Sequence, residues 1–226
     1  MAMAGTPRER ARVQTLTDIT RIGRDQLAVH GAAALSLRAV ARELGVVSSA
    51  VYRYVRNRDE LLTLLIVDGY TELGDEVDAA LAAAPADPAS RFRVLGHAVR
   101  AWGLREPARY ALLFGSPVPG YAAPAGQTTA PGTRVIGALI RVLAELAQEC
   151  ATAPTPIPAS LSADFVSIRA EFGVEISDHV IARGILIWAA LFGAVSFDVF
   201  DQYGRDTFGS RDELFELHLD GLLTLL

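Results

Sequence analysis

The chain has 226 residues, of which 51% are hydrophobic, and a net charge of -5, which is the composition of a globular protein and not of a disordered one. Its single cysteine, Cys150, excludes an intramolecular disulfide, and its four histidines lack a metal-ligand spacing, so we expect no metal and no cofactor. The first residues lack an apolar segment of signal-peptide length, and the apolar run 180–200 is interrupted by Arg183 and Asp198, so we expect a cytoplasmic protein that does not enter a membrane.

The predicted elements are helices, because apolar residues recur at three- and four-residue steps and no stretch alternates apolar and polar residues as a strand does. In chain order the predicted helices cover 8–30, 37–44, 50–55, 58–84, 89–105, 107–115, 133–150, 160–172, 178–203 and 211–226. The runs 116–132 and 152–158 are rich in proline and glycine and predict loops. The sequence therefore predicts an all-α protein.

The second and third predicted helices are short and are separated by a turn that contains Gly45. Ser36 is suited to cap the first of them, Ser48 or Ser49 the second, and Asn57 the long helix that follows. Two short helices joined by such a turn predict a helix-turn-helix, whose second helix enters the major groove of DNA. Serine and tyrosine hydroxyls there can bond phosphates or base edges, and Ala50 can contact a thymine methyl group.

Positive charge is concentrated in the same part of the chain. Residues 1–58 contain 10 arginines and 4 acidic residues, a formal charge of +6, whereas residues 59–226 contain 11 arginines and 22 acidic residues, a formal charge of -11. The chain has no lysine, so every basic contact is made by a guanidinium, which can bind a phosphate through two parallel hydrogen bonds. A polyanionic partner is therefore expected for the N-terminal part alone. Charge and spacing by themselves leave open a helical hairpin with a solvated arginine face.

The run SLRAVARELGVVSSAVYRYVRNRDELL, residues 36–62, resembles the DNA-binding domain of the TetR family of bacterial transcriptional regulators. The resemblance implies that 48–54 is the recognition helix and that Arg58 replaces a lysine that grips phosphate. Tyr54 stands where the family often has histidine, and Tyr52 could instead serve packing. The candidate DNA-binding residues are Ser36, Arg38, Ser48, Ser49, Ala50, Tyr52, Arg53, Tyr54 and Arg58.

The rest of the chain resembles the members of that family with a WHG type of C-terminal domain. LLFGSPVPGY at 112–121 and WAALFG at 188–193 are similar to its two signatures, with Phe192 at the position of the histidine. A role of that histidine is therefore not carried over to this chain. We expect a helix-turn-helix domain at 1–58 and a ligand-binding and dimerisation domain at 59–226.

Aromatic residues of the second domain, Phe172 among them, are the candidates for a small-molecule cavity, although large aromatic residues more often fill an ordinary core. His97 is a polar group among them that could orient a ligand or be a satisfied core histidine. The candidate ligand-binding residues are His97, Trp102, Tyr110, Phe114, Phe165, Trp188 and Phe192. The segments 178–203 and 210–226 are apolar on more than one face, which favours a homodimer over a self-contained bundle.

These observations predict a ligand-responsive repressor that binds a palindromic DNA operator as a homodimer and is released by a small, largely apolar effector. An enzyme is disfavoured, because the sequence has no G-x-S-x-G, no phosphate-binding loop and no metal cluster. A third reading is an adaptor whose basic hairpin binds an acidic protein, and it differs from a regulator in having no affinity for DNA.

Overall fold

A computed structural model describes residues 6–147 and 156–225, and this part of the chain is helical without a strand. It divides into two compact units. The first unit contains the chain up to Thr71 together with Glu106–Gly132, and the second contains Glu72–Arg105 and the chain from Thr133 onward. The α-helices are α1 (Pro7–His30), α2 (Leu37–Glu43), α3 (Ser48–Tyr52), α4 (Arg58–Ala83), α5 (Pro88–Arg105), α6 (Pro107–Phe114), α7 (Ala125–Gly132), α8 (Arg134–Ala147), α9 (Ala159–Phe172), α10 (Asp178–Val199) and α11 (Arg211–Leu223).

The start of α1 is fixed by a capping box. The Glu9 backbone N–H donates to the Thr6 hydroxyl at 3.3 Å, and the Thr6 N–H donates to the Glu9 carboxylate at 2.6 Å. Pro7 at the first helical position has no N–H to satisfy there and already has a helical φ. Gly31 ends the helix at a φ of 72°, where glycine is favoured because it has no Cβ. The helix thus forms about three turns before its first buried residue, Ile19.

The core of the first unit joins α1, α2, α3 and the first turns of α4. Its fully buried side chains include Ile19, Ile22, Val40, Ala41, Val51, Val55, Leu61, Leu62 and Leu65. Gly23 allows α1 to approach α4 closely, since a Cβ at this position would lie 3.2 Å from a Leu65 methyl carbon. A carboxylate adds a polar link, because Asp68 accepts hydrogen bonds from both Arg24 and Arg109. The helix-turn-helix thus packs against α1 and the first turns of α4.

The second unit is built on α5, α8, α10 and α11. Its fully buried side chains include Phe92, Leu95, Val99, Trp102, Leu139, Val142, Ile187, Leu191, Val195, Phe215 and Leu219. The α5 helix approaches α11 closely at Gly96, where a Cβ would lie only 2.7 Å from a Leu219 methyl carbon. Arg100 links the same elements, donating to Asp198 at 2.6 Å and to Asp212 at 2.7 Å. Packing and the buried Arg100–Asp198 pair therefore hold these helices together.

Most predicted helices are present, but three predictions are corrected. The run 116–132, predicted as a loop, contains α7; Pro131 lies at its penultimate position, so the hydrogen bond that it removes is at the end of the helix and the preceding turn stays regular. The helix predicted over 178–203 ends at Val199, since Asp201 adopts a left-handed φ of 53°. The α3 helix spans Ser48–Tyr52 instead of 50–55. The predicted end at Cys150 and most of the loop 152–158 lie outside the described residues.

Candidate DNA-binding surface and ligand cavity

The turn between α2 and α3 has the geometry that the sequence predicts. Ser36 caps α2 by accepting from the Ala39 N–H at 3.4 Å. Gly45 follows the helix at a φ of 69°, and the Val46 N–H donates back to the Ala41 carbonyl at 3.0 Å. This positive φ is accessible to glycine at little cost, so the chain can reverse within a few residues. The two short helices consequently form a helix-turn-helix.

The prediction that a serine caps α3 is wrong. Val47, which has an extended backbone, is the N-cap residue and makes no side-chain capping bond. The helix begins at Ser48, two residues before its predicted start at residue 50, so Ser48 and Ser49 both lie in its first turn. Their hydroxyls are therefore not used to begin the helix.

The short α3 helix presents two different faces. Val51 in α3 and Val55, three residues after the helix ends, are buried and anchor this segment to the core. Ser49, Tyr52 and Arg53 are exposed, with Tyr52 at 41%. Buried valines on one side and polar groups on the other fix which side chains a partner can touch.

Polar side chains on this surface lack intramolecular partners. Throughout residues 6–147 and 156–225, no hydrogen bond or ion pair engages the side chains of Arg38, Ser48, Ser49, Tyr52 and Arg53. The N–H and O–H groups of these side chains are therefore available to donate hydrogen bonds to phosphates or base edges. The small side chain of Ala50, which is half-buried, lies in the same turn of α3.

Three other candidate residues have structural contacts. Ser36 is used as the cap of α2. The Arg12 guanidinium carbon lies 5.6 Å from the centroid of the Tyr54 ring, which is a cation–π distance. Arg58 donates through Nη2 to the Ala32 carbonyl at 2.9 Å and is partly buried. No local sequence pattern indicates either of these last two contacts.

The beginning of α4 is stabilised by two further caps. The Glu60 N–H donates to the Asn57 side chain at 2.9 Å, as the sequence predicts. The Glu60 carboxylate accepts from the Arg56 backbone N–H at 2.6 Å and from its side-chain Nε at 3.2 Å. The bond from the Arg56 backbone N–H is the main cause of a pKa of Glu60 below its ordinary value of 4.5. Partial burial acts in the opposite direction, and the bond from the Arg56 side chain lowers the pKa further. The segment that follows α3 is therefore held by charge-assisted hydrogen bonds.

The aromatic ligand candidates lie in several places. Tyr110 contacts Phe114 in the first unit, with ring centroids 5.0 Å apart. Trp188 and Phe192 stack at 4.1 Å in the second unit. Trp102 is fully buried and donates to Glu72 at 3.2 Å, and Phe165 is buried in the second unit.

His97 faces α11. Its Nε2 lies 2.7 Å from the Glu216 carboxylate, and its ring meets Phe215 edge-on with centroids 5.5 Å apart. The side chain is 43% exposed.

An apolar cavity of about 230 Å³ lies between α8, α9 and α10. Its lining is mainly aliphatic and includes Ile136, Ile140, Leu143, Ile168, Phe172 and Ile181, with Thr133 and Glu171 as polar members. Phe172, an aromatic candidate from the sequence, lines this cavity, whereas none of the seven residues assigned to ligand binding does. Isoleucines four residues apart, at 136 and 140 and again at 181 and 185, were the signal in the sequence. Such pairs also form ordinary cores, so the spacing does not distinguish a cavity from packing.

Among the described residues, no group of three His, Cys, Asp or Glu side chains could hold a metal ion.

The architecture is that of a helix-turn-helix DNA-binding protein with a second helical unit. Two family models match the chain: residues 19–65 match bacterial regulatory proteins of the tetR family, and residues 92–222 match the tetracyclin repressor-like C-terminal domain. The chain belongs to the TetR family of bacterial transcriptional regulators.

Relatives and solved structures agree with this assignment. The chain is 46% identical over 222 residues to the HTH-type transcriptional regulator Rv1816 of Mycobacterium tuberculosis, covering 97% of this chain and 95% of that protein. The crystal structure of the regulatory protein SCO4313 superposes with a TM-score of 0.79 at 34% identity, covering 97% of this chain and 100% of that one. A Rhodococcus sp. RHA1 protein shares the fold, with a TM-score of 0.71 at 21% identity and coverage of 94% and 95%. The protein is a transcriptional regulator with a DNA-binding domain and not an enzyme, as the sequence predicts.

Proposed function

We propose that this protein is a cytoplasmic homodimeric repressor that binds a palindromic operator and is released by a small, largely apolar effector. The observation that carries this proposal is the outward face of α3, where polar side chains are exposed and unpartnered while Val51 and Val55 anchor the segment from behind. In this proposal residues 1–58 bind DNA, and residues 59–226 dimerise and bind the effector.

The proposed DNA contacts divide into two groups. Ser48, Ser49, Ala50 and Tyr52 lie on α3 and meet base edges and nearby phosphates in the major groove. The remaining contacts are to the backbone, which fixes the position of the protein without reading sequence. We assign these to Ser36, Arg38, Arg53, Tyr54 and Arg58, and the role of Arg58 is shared with its bond to Ala32.

The proposed dimer interface is formed by α10, α11 and their connection, within 178–203 and 210–226. Large apolar side chains are exposed there in the single chain: Leu186 is 54%, Phe197 45% and Leu217 66% exposed. Gly193 and Gly221 have no atom within 4 Å of an added Cβ, which leaves room for close helix approach. A two-fold dimer would cover this surface and place two recognition helices on half-sites about 34–36 Å apart.

The same helix, α10, is long and apolar enough to span a membrane by length and composition alone. Only 28% of its most apolar stretch is buried in the single chain. A helix of a soluble protein can be equally long and apolar when a partner covers it. Burial in a four-helix interface between two copies would account for the apolar surface without a membrane.

The proposed effector site is the cavity between α8, α9 and α10. An engineered apolar cavity of about 150 Å³ in another protein stays dry and binds benzene, so a cavity of about 230 Å³ is large enough for a substituted ring or a short hydrocarbon chain. Its aliphatic lining offers few hydrogen-bond partners, which favours a largely apolar molecule.

Release requires that the effector bind two states of the protein with different affinities, because a ligand that binds both equally shifts nothing. The helix α4 contributes residues to both compact units, ending the first at Thr71 and beginning the second at Glu72. We propose that it carries the change from the effector site to the spacing of the two recognition helices.

DNA binding is tested by fluorescence anisotropy with a labelled duplex from the region upstream of the gene and a random-sequence duplex of equal length. We expect the upstream duplex to bind at least about a thousandfold more tightly and the affinity for both to fall steeply between about 50 and 200 mM salt. Failure to bind either duplex at about 50 mM salt would contradict the proposed function.

The surface on α3 is tested by Arg53→Ala and Ser49→Ala, which change exposed side chains without structural bonds. Arg53→Ala should weaken binding to all sequences, and Ser49→Ala should change which sequence is preferred. Arg205→Ala, at an exposed arginine of the second unit, is the matched control and should bind as the wild type does. Equal behaviour of Arg53→Ala and Arg205→Ala would argue against α3 as the DNA-binding element.

The interface is tested by Leu217→Glu and size-exclusion chromatography with light scattering. We expect a monomer, because a charge would be buried at the centre of the contact. Val29→Glu places the same charge at a 74% exposed valine of α1 and should leave the dimer intact. A dimeric Leu217→Glu protein would place the interface elsewhere.

The cavity is tested by thermal shift with toluene and octanol as probes. We expect a rise in Tm for the wild type and none for Ile140→Trp, which fills the cavity. Val166→Trp adds the same bulk to an exposed position of α9 outside the cavity and should keep the response. If Ile140→Trp also responds, the probes bind at another site.

A further inference from the structure

We infer that the first two turns of α1 form a second phosphate-binding surface, in which Arg8 and Arg12 extend the DNA interface beyond the helix-turn-helix. This inference rests on the proposed DNA binding, and neither arginine is among the residues that the sequence analysis assigns to DNA. It concerns the side chains of these arginines and not the dipole of the helix terminus.

The direction of these side chains follows from the spacing of α1. The face that packs on the helix-turn-helix core contains Leu16, Ile19 and Gly23. Positions four residues apart share a face, and stepping back from Leu16 along the chain gives Arg12 and then Arg8. The face that packs on the core thus continues past the edge of the core as two arginines.

A direct contact confirms where this face leads. Arg12 reaches the ring of Tyr54, at 5.6 Å from its centroid, and Tyr54 follows α3 by two residues. In the described part of the chain the Arg8 side chain has no partner, and the Tyr54 ring is the contact of Arg12. Both guanidinium groups therefore keep their hydrogen-bond donors for a ligand beside α3.

The sequence makes this extension a rigid helix. The capping box of Thr6 and Glu9 begins the helix ahead of both arginines, and it also occupies the Glu9 carboxylate, the acidic group closest to Arg8 in the chain. Residues 7–14 are exposed, so packing on the core is not what holds them helical. The arginines are consequently presented at fixed positions instead of on a frayed end.

Arg8 is poorly placed for stability. It lies in the first turn of α1, where the macrodipole favours acidic side chains and disfavours a cation. Among the described residues it has no ion pair to offset this. An arginine at a position that disfavours it, without a stabilising contact, indicates a functional role.

The spacing suits a phosphate backbone. Two residues four apart are separated by about 6 Å along a helix axis, while phosphates along one DNA strand advance by about 3.4 Å each. Arg8 and Arg12 thus span about two phosphates on the strand that flanks the groove occupied by α3. Guanidinium groups suit this partner because they bind phosphate oxygens in pairs.

The test is the salt dependence of binding to a random-sequence 30-base-pair duplex, measured by anisotropy between about 50 and 200 mM salt. Each lost phosphate contact lowers the slope of log K against log salt by about 0.9, so Arg8→Gln should lower it by about 1.8 in a dimer. Over this salt range the affinity ratio would change about 12-fold. We expect Arg8→Gln/Arg12→Gln to lower the slope by about 3.6.

Arg21→Gln is the matched control, since it removes the same charge from α1 at an exposed residue that pairs with Asp25. It should change the slope by less than about half of the Arg8→Gln effect. Arg8→Lys/Arg12→Lys should restore the wild-type slope, because a lysine also displaces a counterion. The substituted side chains are exposed, and an unchanged Tm confirms that each variant is folded.

The outcomes separate the two proposals. If the wild type binds the duplex and Arg8→Gln keeps its slope, or matches Arg21→Gln, the extension does not contact phosphate and this inference alone is overturned. A double lysine variant that stays at the glutamine slope would overturn it as well, since charge would then not be the cause. If the wild type does not bind DNA at low salt, the proposed function fails together with it.

Discussion

Asp68 joins three helices of the first unit, and its removal is the most informative test of how that unit is held together. Its carboxylate accepts from Arg24 Nε at 2.6 Å and Arg24 Nη2 at 2.5 Å, which ties α4 to α1. It also accepts from Arg109 Nη2 at 2.9 Å, which ties α4 to α6. Arg109 is only 3% exposed, so its charge depends on its carboxylate partners. Asp68→Asn preserves the shape of the side chain and removes its charge.

The magnitude follows from burial. Breaking a buried ion pair by removing one partner costs about 3–5 kcal/mol, because the other charge stays buried. Two features lower this figure: Asp68 is 23% exposed, and Glu106 lies 3.5 Å from Arg109 and partly replaces it. We therefore expect Asp68→Asn to lower the free energy of unfolding by about 2 kcal/mol, which is a fall in Tm of about 4–8 °C for a chain of this size.

The assay is urea and thermal unfolding at one fixed protomer concentration, because the proposed dimerisation would make Tm depend on concentration. Asp25→Asn is the control, since it breaks the exposed Arg21–Asp25 pair, whose side chains are 62% and 61% exposed. Such a pair contributes about 0–1 kcal/mol, so the control should unfold nearly as the wild type does. If Asp68→Asn and Asp25→Asn have equal effects, the link between α1, α4 and α6 is not a source of stability.

Two further substitutions test local packing and charge. Gly96→Ala should cost about 1–3 kcal/mol in urea unfolding, because its Cβ would lie 2.7 Å from buried Leu219, whereas Gly126→Ala, with open space around it, should be neutral or stabilising. Glu60→Gln should be less stable than the wild type above pH 4.5, with the difference shrinking as the pH falls below that value. The hydrogen bond from the Arg56 backbone N–H is the main cause of the lowered pKa of Glu60. The charged carboxylate therefore stabilises the fold at a pH above the unfolded-state pKa, and this stabilisation is lost as the pH falls through the folded-state pKa. A difference that is constant with pH would contradict this origin.

The helix-turn-helix was predictable because its determinants are contiguous in the sequence. The Ser36 cap, the glycine at the turn and the Asn57 cap each act over three or four residues, and each is present in the structure. The serine cap of α3 was predicted wrongly, because a serine in the first turn and a serine at the cap differ by one residue. Contacts such as Arg58 to Ala32 join positions 26 residues apart and leave no local pattern.

The cavity was not predictable for a related reason. Its lining comes from three helices, and each contributes aliphatic residues at the same spacing that an ordinary core uses. Aromatic residues were the more conspicuous candidates in the sequence, yet Trp102 and Tyr110 are fully buried, as large aromatic residues commonly are. Whether a helix surface packs fully or leaves a space depends on the distance between helices, and the sequence of one helix does not determine it.

Arg58 shows why an arginine at the start of α4 is not equivalent to the lysine that the family resemblance implies. Its Nη2 is bonded to the Ala32 carbonyl, which ties α4 to the short turn that follows α1. A guanidinium carries five donors in a fixed plane, whereas an ammonium is a single point charge. With the side chain 32% exposed and Nη1 at 3.8 Å from Asp59, donors remain for the proposed phosphate contact while the bond to Ala32 is kept. A lysine would have to reach both the Ala32 carbonyl and DNA from a single nitrogen, whereas the arginine donates to Ala32 through Nη2 and keeps other nitrogens for the proposed contact.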